Sequence, residues 1–485
     1  MTFSRRTLLA ALPVLAAWPA RTAPQTDAQI VEAAFRALHP GLTRYNSLRQ
    51  LDARFARLAA ELAEARAPGA QWRALTTFTA ALRCGHTYVN PNNQKGAGEA
   101  FFQAGRNRLP FTWRWLAGRM IVGDPQGVAG LTAGDEVLAL DGRRASDLLP
   151  RMMALAAADG ASDGKRVRLS EYDRQELWPL PDSALPQLAP EVFGRETIAL
   201  TVRTRDDALL DVRAGLLTRA ERVAARGSAE IAPPDGPAWT SEVLTDRSRL
   251  INMPTWSVYN SRWDWRAWLD REVDDAIAAR APGIILDLRG NAGGTECGDH
   301  LLARMIAREV VRPDAQRFVS YRRTPAELDP FLTTWDRSFR DWGDSAVGPD
   351  ARGRYRLTKW DEDVRGAVIR PRGPRYGGRL VVLIDAANSS ATFQFAQTVK
   401  TQGLGLLVGE TTGGNRRGIN GGAYFFLRLP QCGFAIDLPL VATFPATPQP
   451  DEGIRPDLLV RTRPADLASG FDPQRAAALA ALRAA

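Results

Sequence analysis

The sequence predicts an α/β fold, and three features of its second half support that prediction. Two apolar runs of strand length, 283–288 (GIILDL) and 380–385 (LVVLID), each end in a polar turn. Residues with helical periodicity follow each turn, and a third apolar run at 404–409 repeats the strand pattern. Strands that alternate with helices are typical of a sheet whose faces are covered by helices.

The turn after the second run carries Ser389 and Ser390, directly before a helix expected to start near Ala391. A hydroxyl at the start of a helix lies at the positive end of the helix dipole, beside free backbone N–H groups. That position suits a nucleophile whose attack generates an oxyanion. Serine is also a common N-cap residue, so this segment alone leaves two interpretations of Ser390 open, a nucleophile and a cap.

The turn after the first run, 289–294 (RGNAGG), is rich in glycine. Glycine lets the backbone approach a ligand closely and direct N–H groups towards it. An ordinary tight turn between a strand and a helix would have the same composition. A helix is expected from about Asp299, and one apolar face of it would hold Leu301, Leu302, Met305 and Ile306.

Together, DLRGNAGG at 287–294, NSSATFQFA at 388–396, VGETTGGN at 408–415 and GIRPD at 453–457 form a motif set. The set resembles that of the C-terminal-processing (tail-specific) serine peptidases and their tricorn-core and interphotoreceptor-retinoid-binding relatives. The resemblance implies a crotonase-like (ClpP-like) α/β core with a mixed sheet. It also implies an N-terminal helical domain and a PDZ-like β-rich module.

The resemblance gives roles to individual residues. In this family the nucleophile is the serine that a small residue follows at the start of the helix, which matches Ser390 and Ala391 rather than Ser389. The oxyanion hole is implied to consist of the backbone N–H of Ala391 and that of Gly293 or Gly294.

The general base is implied to be a histidine. Family members of the Ser–Lys type place their lysine where this chain has Asn415. The neighbouring Arg416 and Arg417 cannot replace it, because a guanidinium group does not give up its proton in proteins. The tricorn-like branch instead has a histidine in a DGHT-like motif, which resembles CGHTYV at 84–89 and makes His86 the expected base.

The chain contains two other histidines. His39 precedes a proline at the end of a helical pattern and is expected to be structural or at the surface. His300 follows the glycine turn and is the second candidate base. Cys84 stands where many family members have aspartate, and we expect a small buried side chain there rather than a nucleophile.

A histidine base needs an acceptor that orients it. In the tricorn-like relatives an acidic residue near the GVxPD motif takes part, and here Asp451 and Glu452 precede that motif. Asp451 is the preferred candidate, although both can equally be solvated loop carboxylates. The implied mechanism is acyl transfer: Ser390 attacks a carbonyl, His86 passes the proton to the leaving amine, and water releases the acyl-enzyme.

The first 25 residues have the order of a secretory signal: Arg5 and Arg6, an apolar stretch, then small residues. Paired arginines are typical of twin-arginine export, so a periplasmic or secreted protein is expected. No later apolar run is long enough to span a bilayer. The formal net charge of +9 is spread among acids without a basic block, which argues against a nucleic-acid partner.

The expected organisation is a signal peptide (1–25), a helical domain carrying His86 (26–104), a PDZ-like domain (105–215), an α/β core (240–462) and a C-terminal helix (463–485). The PDZ-like prediction depends on 130–149, GLTAGDEVLALDGRRASDLL, and a helical or irregular insertion is expected near 150–190. A polar insertion in the core, 311–372, has aromatic residues that either line a groove or pack on the surface: Tyr321, Trp335, Trp342 and Trp360.

Neither a cofactor nor a metal is expected, since no Cys/His spacing fits a zinc site. The chain has three cysteines, so one stays unpaired, and a Cys297–Cys432 bridge is conceivable in an oxidising compartment. Three functions remain open: an exported serine peptidase acting on peptides or proteins, a non-catalytic ligand-binding protein on the same fold, or an esterase or amidase of the same chemistry. The oligomeric state is left open.

Overall fold

The computed structural model describes residues 26–173, 176–226, 239–312, 315–359 and 368–483. The predicted signal peptide and Trp360 therefore lie outside the described residues. Helices come first along the chain, an antiparallel sheet with inserted helices follows, and the last part combines a mostly parallel sheet with another antiparallel one. The architecture is mixed α/β, as predicted.

The N-terminal region is helical: α1 (Asp27–Leu38), α2 (Leu48–Glu64), α3 (Pro68–Ala81) and α4 (Ala97–Gln103). Ser47 caps α2 and forms a capping box with Gln50. Leu51, Phe55 and Leu58 of α2 are buried, as their helical spacing predicts. The CGHT motif lies in the loop between α3 and α4.

The middle region is a sheet with helices inserted. Its strands are β1 (Arg106–Arg108), β2 (Trp113–Leu116), β3 (Arg119–Val122), β4 (Glu136–Leu140), β5 (Arg143–Arg144), β6 (Thr197–Arg203), β7 (Leu209–Gly215) and β8 (Leu217–Thr218). Its helices are α5 (Leu148–Met153), α6 (Asp163–Leu169), α7 (Leu180–Leu188), α8 (Pro190–Phe193) and α9 (Arg219–Arg226). The sheet has the order β2-β3-β4-β6-β7, with β5 paired to β4, whereas β1 and β8 form a separate antiparallel pair. Helices α5 to α8 lie between β5 and β6 in sequence. Helices thus occupy the expected insertion, and the PDZ-like assignment stays a prediction.

The strands of the C-terminal region form two sheets and a short β12–β17 pair. They are β9 (Thr240–Val243), β10 (Arg249–Asn252), β11 (Gly283–Asp287), β12 (Val310–Val311), β13 (Ala315–Val319), β14 (Leu332–Thr333), β15 (Ala346–Val347), β16 (Tyr355–Leu357), β17 (Val368–Ile369), β18 (Arg379–Ile384), β19 (Leu406–Gly409), β20 (Asn420–Arg428), β21 (Ala435–Pro445) and β22 (Leu458–Leu459). The helices are α10 (Trp265–Ala278), α11 (Cys297–Leu302), α12 (Ala391–Thr401), α13 (Pro464–Ser469) and α14 (Pro473–Arg483).

The first of these sheets positions the two motif turns. Its order is β22-β19-β18-β11-β10-β9, and β22, β19, β18, β11 and β10 run parallel. Asp287 of β11 is opposite Leu383 of β18, so both strands end at the same edge. The glycine turn after β11 and the serine turn after β18 therefore meet at the carboxyl edge of the sheet, where open α/β sheets bind ligands.

Both faces of this sheet are covered, which explains the continuous apolar runs in its strands. Leu286 and Val382 pack on one face with side chains of α10 and α12. Ile285 and Val381 pack on the other face with Leu482 of α14. The two apolar residues on each strand alternate between the faces because successive side chains of a strand point to opposite sides.

The second sheet, of order β14-β20-β21-β13-β16-β15, is antiparallel. The expected polar insertion therefore supplies four of its strands, β13 to β16. Tyr321 and Trp342 are buried against this sheet rather than lining a groove, whereas Trp335 is 60% exposed. Another expectation was wrong: α11 ends at Leu302, so Met305 and Ile306 follow the helix instead of extending its apolar face.

Candidate active site

The serine turn and the glycine turn are bound to each other by hydrogen bonds. Asp385 Oδ2 accepts from the Gly290 N–H at 3.0 Å. Asn388 Nδ2 donates to the carbonyl oxygens of Leu288 at 2.6 Å and Asn291 at 3.0 Å. These hydrogen bonds fix the two turns as one unit at the sheet edge, because breaking them would leave buried polar side chains without partners.

Ser390 adopts a backbone conformation that side chains rarely accept, with φ 53° and ψ −125°. It stands at the N-cap position of α12, but its hydroxyl makes no capping hydrogen bond. Strained backbone at a strand-to-helix turn persists only where the surrounding structure holds it, and such residues cluster at functional sites. The cap interpretation therefore loses its support, since the hydroxyl is not used by the helix.

The backbone N–H groups expected to form the oxyanion hole are those of Ala391 and of Gly293 or Gly294. That of Ala391 is in the first turn of α12, where helices leave N–H groups without an internal partner. Gly293 lies against the nucleophile turn, because a Cβ built on it would lie 2.9 Å from Ser390 Cβ. Its own N–H, however, donates to Asn291 Oδ1 at 2.9 Å. No hydrogen bond to the Gly294 N–H occurs in the described part of the chain.

His86 lies in a loop that several elements hold. The Gly85 N–H donates to Asp159 Oδ1 at 2.9 Å. The following residue, Thr87, contacts His39 Nε2 through Oγ1 at 3.1 Å. Burial lowers the pKa of His86, Asp159 acts in the opposite direction, and Lys165 lowers it further. The imidazole is thus held in its neutral form, which is the form a general base requires.

The His86 ring packs beside Tyr424 but makes no hydrogen bond to the described residues. Its Nδ1 is shielded from solvent without a hydrogen-bond partner. No described hydrogen bond joins the ring to Ser390. A cavity of about 330 Å³ borders the His86 ring, and its wall also includes Lys165, Ser389 and Ala292. The rest of the wall is largely apolar and includes Trp72, Val89, Phe102, Leu155, Trp178 and Leu180.

The two acidic candidates bind other partners. Asp451 Oδ1 accepts from Asn415 Nδ2 at 2.7 Å and from the Ala161 N–H at 2.8 Å. Glu452 pairs with Arg416 at 3.4 Å and Arg455 at 2.8 Å. Neither carboxylate is hydrogen-bonded to His86 within the described ranges, so their role as its orienting group stays a prediction.

The other histidines have structural surroundings. His39 is 3% exposed, and its Nδ1 accepts from the Gly41 N–H at 3.3 Å. His300 contacts Asp270 at 3.2 Å and the guanidinium of Arg372 at 2.7 Å, in a network on the face of α10. The three cysteines are buried and free. Cys84 accepts from Asn420 Nδ2 at 3.2 Å, as suits a small buried side chain.

Two residues of the site were missed by the sequence analysis, Asp159 and Lys165. Both come from the inserted helical region, far from every recognised motif. One signal was present: only four of the 63 basic residues are lysines, at 95, 165, 359 and 400. A lysine in so arginine-rich a chain is a candidate for a position that requires a compact ammonium group.

Residues 249–460 match the profile of Peptidase family S41. The structure is similar to that of mature CPAF complexed with lactacystin, with a TM-score of 0.60 and 14% identity over 94% of this chain and 96% of that one. It is also similar to the CPAF s499a mutant, with a TM-score of 0.59 and 15% identity over 91% of this chain and 93% of that one. At these identities the likeness concerns the fold. No curated protein sequence matches the chain.

No helix in the described part of the chain is long and apolar enough to cross a bilayer.

Proposed function

Residues 249–460 of this chain belong to peptidase family S41, and on that premise we propose that the protein is a serine peptidase that forms an acyl-enzyme on Ser390. One observation carries the proposal. Ser390 has a positive φ at the start of α12, its hydroxyl makes no capping hydrogen bond, and Gly293 lies against it. This combination leaves the hydroxyl unused by the helix, at the helix start and against the glycine turn, which is an arrangement that suits acyl transfer.

His86 is the proposed general base. It borders the cavity that Ser389, the neighbour of the nucleophile, also lines. Its Nδ1 has no hydrogen-bond partner among the described residues, and its lowered pKa leaves it unprotonated at neutral pH. Catalytic hydrogen bonds are often long in unliganded sites and shorten when substrate closes the site. A peptide bound in the cavity would contact both the imidazole and the turn that carries Ser390.

We propose that Asp451 orients His86 through an intervening turn. Asp451 accepts the Ala161 N–H, and two residues earlier Asp159 accepts the Gly85 N–H next to His86. The Gly160 N–H also donates to the Arg83 carbonyl at 3.0 Å. The turn at 159–161 is thereby held against the histidine loop. Asp159 provides the negative charge that favours the imidazolium formed during proton transfer. Glu452 instead forms ion pairs with Arg416 and Arg455.

The substrate is proposed to be a peptide or protein segment with an apolar side chain near the scissile bond. The cavity wall is mostly aromatic and aliphatic, and burying such a side chain there contributes about 1.5–3 kcal/mol to binding.

Labelling by a fluorophosphonate tests the nucleophile. The parent protein is expected to incorporate one label, Ser390→Ala none, and Ser389→Ala one, with mass spectrometry locating the adduct. Label on a residue other than Ser390, or none in the parent, refutes the proposed nucleophile. Lactacystin, which is present in the structure of mature CPAF, serves as a second probe. Comparing turnover of matched peptide and ester substrates then separates a peptidase from an esterase.

The export of the protein is a separate proposal, supported by the order of residues in 1–25. Fusing this segment to a reporter is expected to deliver the reporter to the periplasm. Replacing Arg5 and Arg6 by lysine is expected to stop twin-arginine export. Unchanged delivery by the lysine variant would contradict the twin-arginine assignment and leave general secretion as the route.

A further inference from the structure

Lys165 of α6 reaches into the nucleophile turn from the inserted helical region. Its side chain is 8% exposed. Its Nζ donates to the Ala387 carbonyl at 2.9 Å and to Ser389 Oγ at 2.7 Å. The stem is closely packed, because a Cβ on Gly413 would lie 2.5 Å from Lys165 Cδ. Burial lowers the pKa of Lys165, and its two hydrogen bonds to one turn fix that turn, since releasing them would leave buried donors unsatisfied.

Ser389 connects Lys165 to the glycine turn through two hydrogen bonds. Its Oγ accepts from Lys165 and donates to the Ala292 carbonyl at 3.1 Å. Ala292 precedes Gly293 and Gly294, whose backbone is placed beside Ser390. One hydroxyl thus joins the inserted region, the nucleophile turn and the glycine turn.

A second residue on the same helix contacts the same turn. Arg168 lies one helical turn after Lys165, and its Nε is 3.8 Å from Asp385 Oδ2. Asp385 Oδ1 accepts from the Ala387 N–H at 2.9 Å, and Oδ2 accepts from the Gly290 N–H. Helix α6 therefore contacts the 385–389 segment at two points, and both Asp385 and Ser389 connect that segment to the glycine turn.

We propose that Lys165 is a positioning residue of the active site, which acts through Ser389 to hold the Ser390 turn against the glycine turn. The inference rests on the proposed peptidase function. It also gives Ser389 a role: its hydroxyl connects Lys165 to the glycine turn and does not serve as a second nucleophile. Since Lys165 belongs to the inserted region, the site is complete only when that region is docked on the core.

Lys165 also has an electrostatic effect on the base that a purely structural side chain would lack. Its positive charge lowers the pKa of His86. The other groups that face His86 are Asp159 and Tyr424, with Arg168, Glu171 and Glu176 across the cavity. Tyr424 stays neutral in the acid range because burial raises its pKa. Removing the Lys165 charge should raise the pKa of His86. The base would then become protonated at a higher pH, so the acid limb of the activity profile should move to higher pH.

The test compares Lys165→Met, Ser389→Ala and the control Lys400→Met in the exported chain without its leader. Lys400 also donates to a backbone carbonyl, that of Arg455 at 2.8 Å, but at the far end of α12. The first two variants are expected to lose roughly 10- to 100-fold in kcat with little change in KM. Only Lys165→Met should move the acid limb of the kcat/KM profile to higher pH, because Ser389→Ala keeps the ammonium charge. Lys400→Met should match the parent.

A second measurement does not depend on turnover. Amide hydrogen exchange over 385–392 is expected to be faster in Lys165→Met and Ser389→Ala than in the parent and in Lys400→Met. The proposal is overturned if exchange over 385–392 is equal in all four proteins while the two variants keep the parental kcat and Lys165→Met does not move the acid limb. It is also overturned if Lys165→Met abolishes labelling of Ser390 while His86→Gln keeps it, since Lys165 would then be the base. A parent that takes no label refutes the peptidase function instead, and the exchange result still decides the role of Lys165.

Discussion

At the scale of single residues, the site depends on glycine where the two turns meet. Gly293 has φ 105°, and an added Cβ would lie 2.7 Å from the Ser389 carbonyl oxygen and 2.9 Å from Ser390 Cβ. Gly293→Ala is therefore expected to lower the rate of Ser390 labelling by at least ~100-fold, because a misplacement of about 1 Å has that effect.

The matched control is Gly142→Ala. Gly142 also has positive φ, at 79°, but no atom lies within 4 Å of an added Cβ. Both variants should be destabilised by about 1–2 kcal/mol from backbone strain alone, and Gly142→Ala should label at the parental rate. Equal labelling by both variants would show that contact between the turns is not needed.

His39 gives a prediction about stability and pH. Burial lowers the pKa of His39 from 6.5 to about 3. The Gly41 N–H donates to Nδ1, so the ring proton is on Nε2, which faces Thr87. The unfolded chain binds a proton at His39 near pH 6.5 and the folded chain does not until about pH 3. The stability that the neutral ring confers is therefore complete above pH 6.5 and decreases as the pH falls towards 3.

Urea unfolding at several pH values measures this effect. Below pH 6.5 the parent should lose up to about 1.4 kcal/mol per pH unit more than His39→Gln. The variant keeps a polar side chain at the site but has no titrating group there. Parallel pH profiles for the two proteins would contradict a buried neutral His39.

At the scale of elements, α14 closes one face of the parallel sheet. Leu482 packs with Ile285, Val381 and Leu383, and a Cβ on Gly283 would meet it at 2.5 Å. Leu482→Ala is expected to cost about 2–3 kcal/mol in the free energy of unfolding. Leu459→Ala, at a side chain that is 58% exposed, should change it by less than about 0.5 kcal/mol. Similar thermal midpoints for the two variants would rule out packing of α14 on the sheet.

Elements with strong periodicity were predicted well from the sequence. The runs GIILDL and LVVLID became β11 and β18, and the serine turn was placed directly before α12, because buried strands and glycine- or serine-rich turns have local signals. The segment 311–372 was predicted only as a polar insertion, without its strands, since these are short and alternate weakly, and β13 and β14 gain partners from β21 and β20, distant in sequence. Lys165 and Asp159 were missed for the same reason: their contacts depend on docking between regions.

At the scale of the whole molecule, the N-terminal helices, the middle sheet and the antiparallel sheet share one apolar cluster, whereas the parallel sheet has clusters of its own. Val31 and Phe78 of the N-terminal helices, Trp113 of the middle sheet and Phe434 beside β21 belong to a single buried cluster. Polar contacts reinforce it, since Asp27 Oδ2 accepts the Cys432 N–H at 2.8 Å. The domain boundaries themselves stay predictions.

A fragment of residues 239–483 is therefore expected not to fold alone, because it would expose the face of the antiparallel sheet that the N-terminal helices cover. Calorimetry should show a cooperative transition for 26–483 and none for the fragment. A sharp transition in the isolated fragment would contradict the shared core.

The central claim is that Ser390 is activated by His86, which arrives from the N-terminal region. The most direct test is hydrolysis of a peptide amide by the parent, Ser390→Ala, His86→Gln and the double variant. The account predicts that each single variant loses at least ~10³-fold in kcat and that the double variant is no slower than the worse single one, because the two side chains act as a unit. Hydrolysis by His86→Gln at the parental rate would contradict it.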